Sequence, residues 1–174
     1  MAFLGSVIMK IKELVIAALF ASITCIATLV QIPLPLVGYI NLGDCFVLLG
    51  AWILGPVYGA AAAGVGSMLG DIISGFAAYA PFTFIIKFVM AVVAYYVVGK
   101  EKRLSPCIAR RIPAALLAEI VMVLGYFLTE CFVFGLGLGA AASIPYNCLQ
   151  GAVGIIGAIL LFIPIGKIKI FKEL

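Results

Sequence analysis

Ten of the eleven Lys and Arg residues fall into three short clusters separated by long, almost uncharged apolar stretches, and that spacing limits what the chain can become. The clusters are Lys10 and Lys12; Lys100, Lys102, Arg103, Arg110 and Arg111; and Lys167, Lys169 and Lys172. Cytoplasmic loops of membrane proteins are enriched in Lys and Arg, which puts all three clusters on the cytoplasmic side. An even number of crossings must then separate each cluster from the next. Hydrophobic residues fill 66% of the 174 positions and charged residues 10%, with a mean hydropathy of +1.33, a composition that no soluble domain of this size carries. The net charge of +4 resides in the clusters, so it implies no nucleic-acid partner.

Helix breakers divide the apolar stretches. Pro33 and Pro35 close a first helix, Gly55-Pro56 separates a short second from a third, and Pro81, Pro113 and Pro145 open the last three. The expectation is an all-α membrane protein with six transmembrane helices over about 12–30, 42–54, 56–74, 81–99, 113–134 and 145–166. Residues 1–174 form one transmembrane domain, multi-pass, with both termini cytoplasmic. The second helix is short for a bilayer of ~30 Å, so it must be tilted, enclosed by protein or extended by its loop. The N-terminal basic pair and apolar run resemble a signal peptide, but the run is long enough to span and is read as helix 1. Met9-Lys10 reads as a start, with residues 1–8 an upstream extension.

The chain has no histidine, and its five cysteines form no C-x-x-C pair, so no metal and no cofactor is expected. The cysteines read as small apolar residues; a disulfide among Cys45, Cys131 and Cys148, all placed toward the outer face, stays open.

Charges inside apolar runs are costly and mark functional sites. Lys87, the eleventh cation, lies about two turns into helix 4 from its outer end. Asp44, Asp71 and Glu130 occupy the outer ends of helices 2, 3 and 5, and only Glu119, in the inner half of helix 5, lies apart. Helical spacing gives helix 5 a stripe of Glu119, Val123, Tyr126 and Glu130, helix 6 a stripe of Tyr146, Asn147, Gln150 and Gly154, and helix 4 a stripe of Thr83, Phe84 and Lys87. Stripes that avoid lipid turn inward and meet, forming an outward-facing polar mouth among aromatic rings that suits a small planar polar ligand. Simpler readings compete: Asp71 and Lys87 as an interhelical ion pair, Asn147 and Gln150 as helix bridges, Tyr39 and Tyr79 as interfacial belt residues.

Small residues recur at helical spacing. Gly55, Gly59, Gly66 and Gly70 read as packing within the chain, whereas Ala17 and Ala21 on helix 1 suit close approach of another membrane protein. An intramembrane enzyme built on Glu119 and Glu130 is disfavoured, because eleven residues of helix hold them ~16 Å apart. A channel is disfavoured by the apolar inner halves at 89–98 and 155–163.

Four segments in this order resemble the substrate-binding S components of energy-coupling factor (ECF) transporters, the modular vitamin importers. They are Ile40-Asn41-Leu42-Gly43-Asp44, Leu54-Gly55-Pro56-Val57-Tyr58-Gly59-Ala60, Gly70-Asp71-Ile72-Ile73-Ser74-Gly75 with Pro81 to Lys87, and Ile144-Pro145-Tyr146-Asn147-Cys148-Leu149-Gln150-Gly151. The resemblance implies an S-component bundle in a prokaryotic plasma membrane that binds a water-soluble vitamin in its outward half, gated by the loop between helices 1 and 2. It implies docking through Ala17 and Ala21 to a transmembrane coupling subunit that carries two cytoplasmic ATPases, and toppling to release cargo inside. With no phosphate-binding G-x-x-x-x-G-K-[ST] loop, the chain depends on those partners for energy. The expected substrate contacts are Asn41, Asp44, Asp71, Phe84, Lys87, Tyr126, Glu130, Tyr146, Asn147 and Gln150. Asp44, Asp71 and Glu130 against Lys87 leave the site net negative, which favours a hydroxymethylpyrimidine or pyridoxine-like ligand over an anion and leaves riboflavin and pantothenate open.

Overall fold

The structure, a computed structural model, describes residues 2–34, 38–99 and 108–165. Five helices carry it: α1 (Ala2–Leu29), α2 (Gly43–Ile73), α3 (Ala80–Val98), α4 (Ile108–Leu128) and α5 (Ile144–Ile165). Each lies in a segment long and apolar enough to cross a membrane. Two four-residue strands, β1 (Gln31–Leu34) and β2 (Gly38–Asn41), pair antiparallel between α1 and α2, with Gln31 opposite Asn41 and Ile32 opposite Ile40. The sequence suggested only an irregular loop there. A hairpin satisfies backbone groups within itself, which matters where protein emerges from lipid.

α2 covers both stretches where separate helices were expected, 42–54 and 56–74. Gly55 breaks its helical path with φ 83° and ψ −171°, a left-handed conformation open to glycine at no steric cost, and Pro56 follows. The break is a reversal. A straight helix would hold Gly43 and Gly70 ~40 Å apart, yet the Thr28 side chain packs against both. Four residues past the turn, a Cβ on Gly59 would sit 2.5 Å from the Gly50 carbonyl oxygen, so the two arms touch backbone to backbone. α2 is thus a helical hairpin, with arms 43–54 and 56–73.

The first arm is the centre of the molecule. Val47, Leu48, Leu49, Ala51, Trp52 and Ile53 are fully buried, as expected of a helix that is apolar on every side. About 18 Å long, it is too short to span lipid, and the rest of the bundle encloses it. The second arm fits against α1 through Gly66, which lies on the Ala21 backbone and Thr24, and against α3 through Gly64, whose missing side chain admits the Phe84 ring.

One member of the 100–111 basic cluster behaves differently from expectation. Residues 100–107 lie outside the described set, but Arg110 and Arg111 belong to α4, and Arg111 is completely buried. Its guanidinium lies 3.4 Å from the Phe162 ring centre and 4.9 Å from that of Trp52, which themselves meet edge to face. A weakly hydrated, planar cation can stack on aromatic faces where a lysine ammonium could not. Cys25, Cys45, Cys131 and Cys148 are all free, and Cys107 lies outside the described residues.

Candidate functional site

A cavity of about 290 Å³ opens at the end of the bundle that carries the β-hairpin. Thr28 of α1, Asn41 of β2, and Ser67 and Asp71 of α2 line one side. Thr83 and Lys87 of α3, Tyr126 of α4, and Asn147 and Gln150 of α5 line the other. Glu130 enters from a π-helical turn, Thr129–Val133, that widens the end of α4. Leu136, Gly139, Ala140 and Ser143 come from the 3₁₀ segment Gly137–Ser143 and the turn before it. Phe76 and Tyr79 complete the rim.

The floor is a closed polar network. Lys87 donates to Asp44 Oδ1, and Gln150 Nε2 donates to Asp44 Oδ2 at 2.6 Å. Gln150 Oε1 accepts the Asn41 backbone N–H at 3.2 Å, and Asn41 Oδ1 accepts the Gly43 N–H at 2.8 Å. Lys87 therefore pairs with Asp44 rather than with Asp71, the partner the sequence suggested. The reversal at Gly55 is the reason: it returns the start of α2 to the centre, placing Asp44 under the cavity, while Asp71 stays on its wall. Asp44 itself is fully buried behind the floor and is not part of the lining.

Glu119 also belongs here, contrary to its expected isolation. Gly151 and Gly154 of α5 leave room for its carboxyl: a Cβ on Gly151 would lie 3.0 Å from Oε2, and one on Gly154 would lie 3.2 Å from Oε1 and 2.8 Å from the Asp44 Cβ. Glu119 thus supports the floor from below, beside Asp44.

The rim is built differently. Asp71 closes the last turn of α2, with its carbonyl taking the Phe76 N–H at 2.8 Å, and the Glu130 carbonyl takes the Leu136 N–H at 3.1 Å. Tyr79 hydrogen-bonds Glu130, and its hydroxyl is pushed above the usual tyrosine range, first by burial and then by the Glu130 and Asp71 carboxylates. Phe76, Tyr79, Phe82 and Phe134 form an edge-to-face collar, with Tyr79 and Phe134 ring centres 4.5 Å apart. Lower down, Thr83 and Tyr126 share a 3.1 Å hydrogen bond, and the Lys87 ammonium lies 5.5 Å from the Tyr126 ring centre. Two buried wall atoms, Ser67 Oγ and Glu130 Oε2, have no hydrogen-bond partner among the described residues. In a folded interior such atoms await a ligand or water.

A sequence profile of the ECF-type riboflavin transporter S component family matches residues 8–167. The chain belongs to that family. A Pyrococcus woesei protein described as an "uncharacterized protein in gap 3'region" is 38% identical over 136 residues, covering 78% of this chain and 88% of its own. The fold of this S component matches a solved chain from "Structure and mechanism of the S component of a bacterial ECF transporter" with a TM-score of 0.74, at 22% identity, over 90% of this chain and 96% of that one. The protein is a membrane-embedded, substrate-binding transporter subunit and not an enzyme.

Against the cavity of this S component, seven expected contacts reach the wall: Asn41, Asp71, Lys87, Tyr126, Glu130, Asn147 and Gln150. Two do not. Phe84 is spent on packing, on Gly64 and in a 6.1 Å stack with Phe88, and Tyr146 is half-buried away from the lining. A helical stripe is wider than the part of it that faces a cavity, so neighbours on the same face diverge. Tyr79, read as a belt residue, stands on the rim instead. Thr28, Ser67 and Ser143 carried no signal, since single small hydroxyls in apolar helices are common helix-packing groups. Ala17 is buried and Ala21 half-buried within the chain, because α1 turns this face toward α2. Among the described side chains of α1, Ala18 and Ser22 are the small residues left exposed.

Proposed function

We propose that the cavity binds riboflavin, taken up from outside the cell. The supporting observation is the family match over 8–167 joined to a cavity with polar groups on its floor and both carboxylates and aromatic rings at its rim. An isoalloxazine ring carries two carbonyl acceptors on its pyrimidine edge, and a lysine ammonium has three donors, of which Asp44 engages one. Lys87, Asn147 and Gln150 thus offer donors to that edge, while Phe76, Tyr79 and Tyr126 offer ring surfaces.

An aminopyrimidine or pyridoxine-like ligand, the leaning from charge count alone, would need a free carboxylate deep in the site to receive its donors. The deep carboxylate, Asp44, is committed to Lys87 and Gln150. Pantothenate, an anion, would meet the Asp71 and Glu130 carboxylates at the rim.

The proposed topology has six crossings, α2 contributing two, with both ends of the chain cytoplasmic and the cavity facing out of a prokaryotic plasma membrane. Delivery inward proceeds by toppling of the bundle when it is docked to a coupling subunit that carries two cytoplasmic ATPases. On α1 a docking helix meets Ala18 and Ser22 before Ala17 and Ala21. The test is titration of the purified protein, stripped of bound ligand, with riboflavin, pantothenate, pyridoxine and hydroxymethylpyrimidine. Sub-micromolar quenching of flavin fluorescence is expected with riboflavin; absence of riboflavin binding would reject the reading.

A further inference from the structure

We propose that the seam between α4 and α5 is a second binding site, entered from the lipid, for a small uncharged lipophile bearing a hydroxyl that bonds the Glu119 carboxyl. The site is independent of what the outward cavity binds.

A groove of about 330 Å³ runs along this seam, within the size range of small-molecule sites. Leu116, Ile120 and Leu124 of α4 and Ala152 and Ile155 of α5 form its walls, with Cys148 at one end. The three α4 side chains are about half exposed, so the groove opens on the outer surface of the bundle. Glu119 and Gly151 lie at its base, and none of these residues lines the outward cavity.

Acyl chains would fill such a groove and leave Glu119 unserved. Its side chain is 6% exposed, and neither Oε1 nor Oε2 has a hydrogen-bond partner among the described residues. Asp44, its neighbour across Gly154, gives its own oxygens to Lys87 and Gln150. Oε2 lies against the bare face of Gly151, 3.0 Å from where a Cβ would be, so at this point α5 has no side chain to cover the carboxyl. Buried polar atoms in folded proteins find partners. A carboxylate accepts hydrogen bonds and a carboxylic acid also donates one; a hydroxyl, donor and acceptor at once, matches either form.

Depth narrows the class of ligand. Glu119 stands eleven residues from one end and fourteen from the other of the crossing Ile108–Val133, or ~16 and ~21 Å by helical rise. In a hydrocarbon core ~30 Å thick that is close to the mid-plane, out of reach of phospholipid headgroups anchored at the interface. The occupant is therefore a molecule dissolved wholly in the hydrocarbon, with an apolar body for the leucine and isoleucine walls and a single hydroxyl for Glu119.

The probe is an octanol carrying a diazirine, photolysed with the full-length protein in lipid nanodiscs and mapped by mass spectrometry. Adducts are expected on the groove walls, and 1-octanol should compete for them at least ~10-fold better than octane at equal mole fraction in the bilayer, the worth of about one hydrogen bond. Glu119→Leu should erase that preference, and Glu119→Gln, whose amide both donates and accepts, should keep it. Ala152→Phe fills the groove from the lipid side without touching Glu119 and should cut labelling at least ~10-fold. Octane competing as well as octanol in the wild type would overturn the inference by showing a furrow that holds any chain. Adducts spread over all lipid-facing helices, or undiminished labelling in Ala152→Phe, would overturn it too, and the wild-type arm needs no variant to fold.

Discussion

Lys87→Met isolates the energetics of the cavity floor. Lys87 and Asp44 are 3% and 0% exposed, so neither charge is relieved by solvent once its partner is gone. Asp44 would keep one donor, Gln150 Nε2, and would face the Glu119 carboxyl with no cation between. Breaking a buried pair from one side costs about 3–5 kcal/mol, because an uncompensated charge remains. Replacing both partners removes that charge: Lys87→Met with Asp44→Asn retains an amide for Gln150 and should recover most of the loss. The assay is thermal unfolding in detergent of wild type, each single variant and the double variant, closed as a cycle. The Lys87→Met protein should melt lower by on the order of 10 °C, with a coupling energy between the two sites of at least ~2 kcal/mol. Additive effects, or a single variant as stable as wild type, would refute the view that the two charges exist in the membrane only through each other.

Two other perturbations probe how the cavity is assembled. Gln31 Nε2 donates to Ser74 Oγ at 2.6 Å, tying the β-hairpin to the end of α2; Gln31→Ala removes a bond of about 1 kcal/mol and should speed riboflavin release about fivefold in stopped-flow fluorescence, and an unchanged release rate would deny the hairpin a gating role. Gly59→Ala puts a methyl group 2.5 Å from the Gly50 carbonyl oxygen, where backbone meets backbone and neither arm can yield easily; it should destabilise by about 1–3 kcal/mol, whereas Val57→Ala, two residues away and 68% exposed, should change stability by less than about 0.5 kcal/mol.

How much of this was legible in the sequence depends on the range of the interaction involved. Lys87 could be singled out because a lone cation in an apolar run is expensive wherever the chain goes, and the same holds for Asp71 and Glu130. Proline punctuates the chain where two helices begin, α3 starting at Ala80 beside Pro81 and α5 at Ile144 beside Pro145. The β-hairpin was not, because a four-residue strand containing Pro33 carries almost no periodic signal. Arg111 misled for a related reason: it sits in a basic run that sorts correctly by side of the membrane, but its burial depends on two aromatic faces from α2 and α5, 59 and 51 residues away in the chain.

The pairing of Asp44 shows why a site can be legible in its members and not in its wiring. Depth along each helix follows from counting residues, and counting put Asp44, Asp71 and Lys87 at similar levels, with Asp71 nearest Lys87 along the chain. Which carboxylate meets the cation is decided by where each helix stands around the bundle axis, and that is set by glycines. Gly55 turns the chain back, Gly59 brings the arms into contact, Gly66 and Gly70 seat the second arm on α1, and Gly154 opens α5 to Asp44. The first arm is thereby forced into the centre, where its one charged residue has to find a cation, and Lys87 is the only basic side chain among those lining the cavity above it. Asp71, on the outer arm, is left on the rim with Glu130. The glycines therefore determine which carboxylate is buried against Lys87 and which ones line the cavity wall.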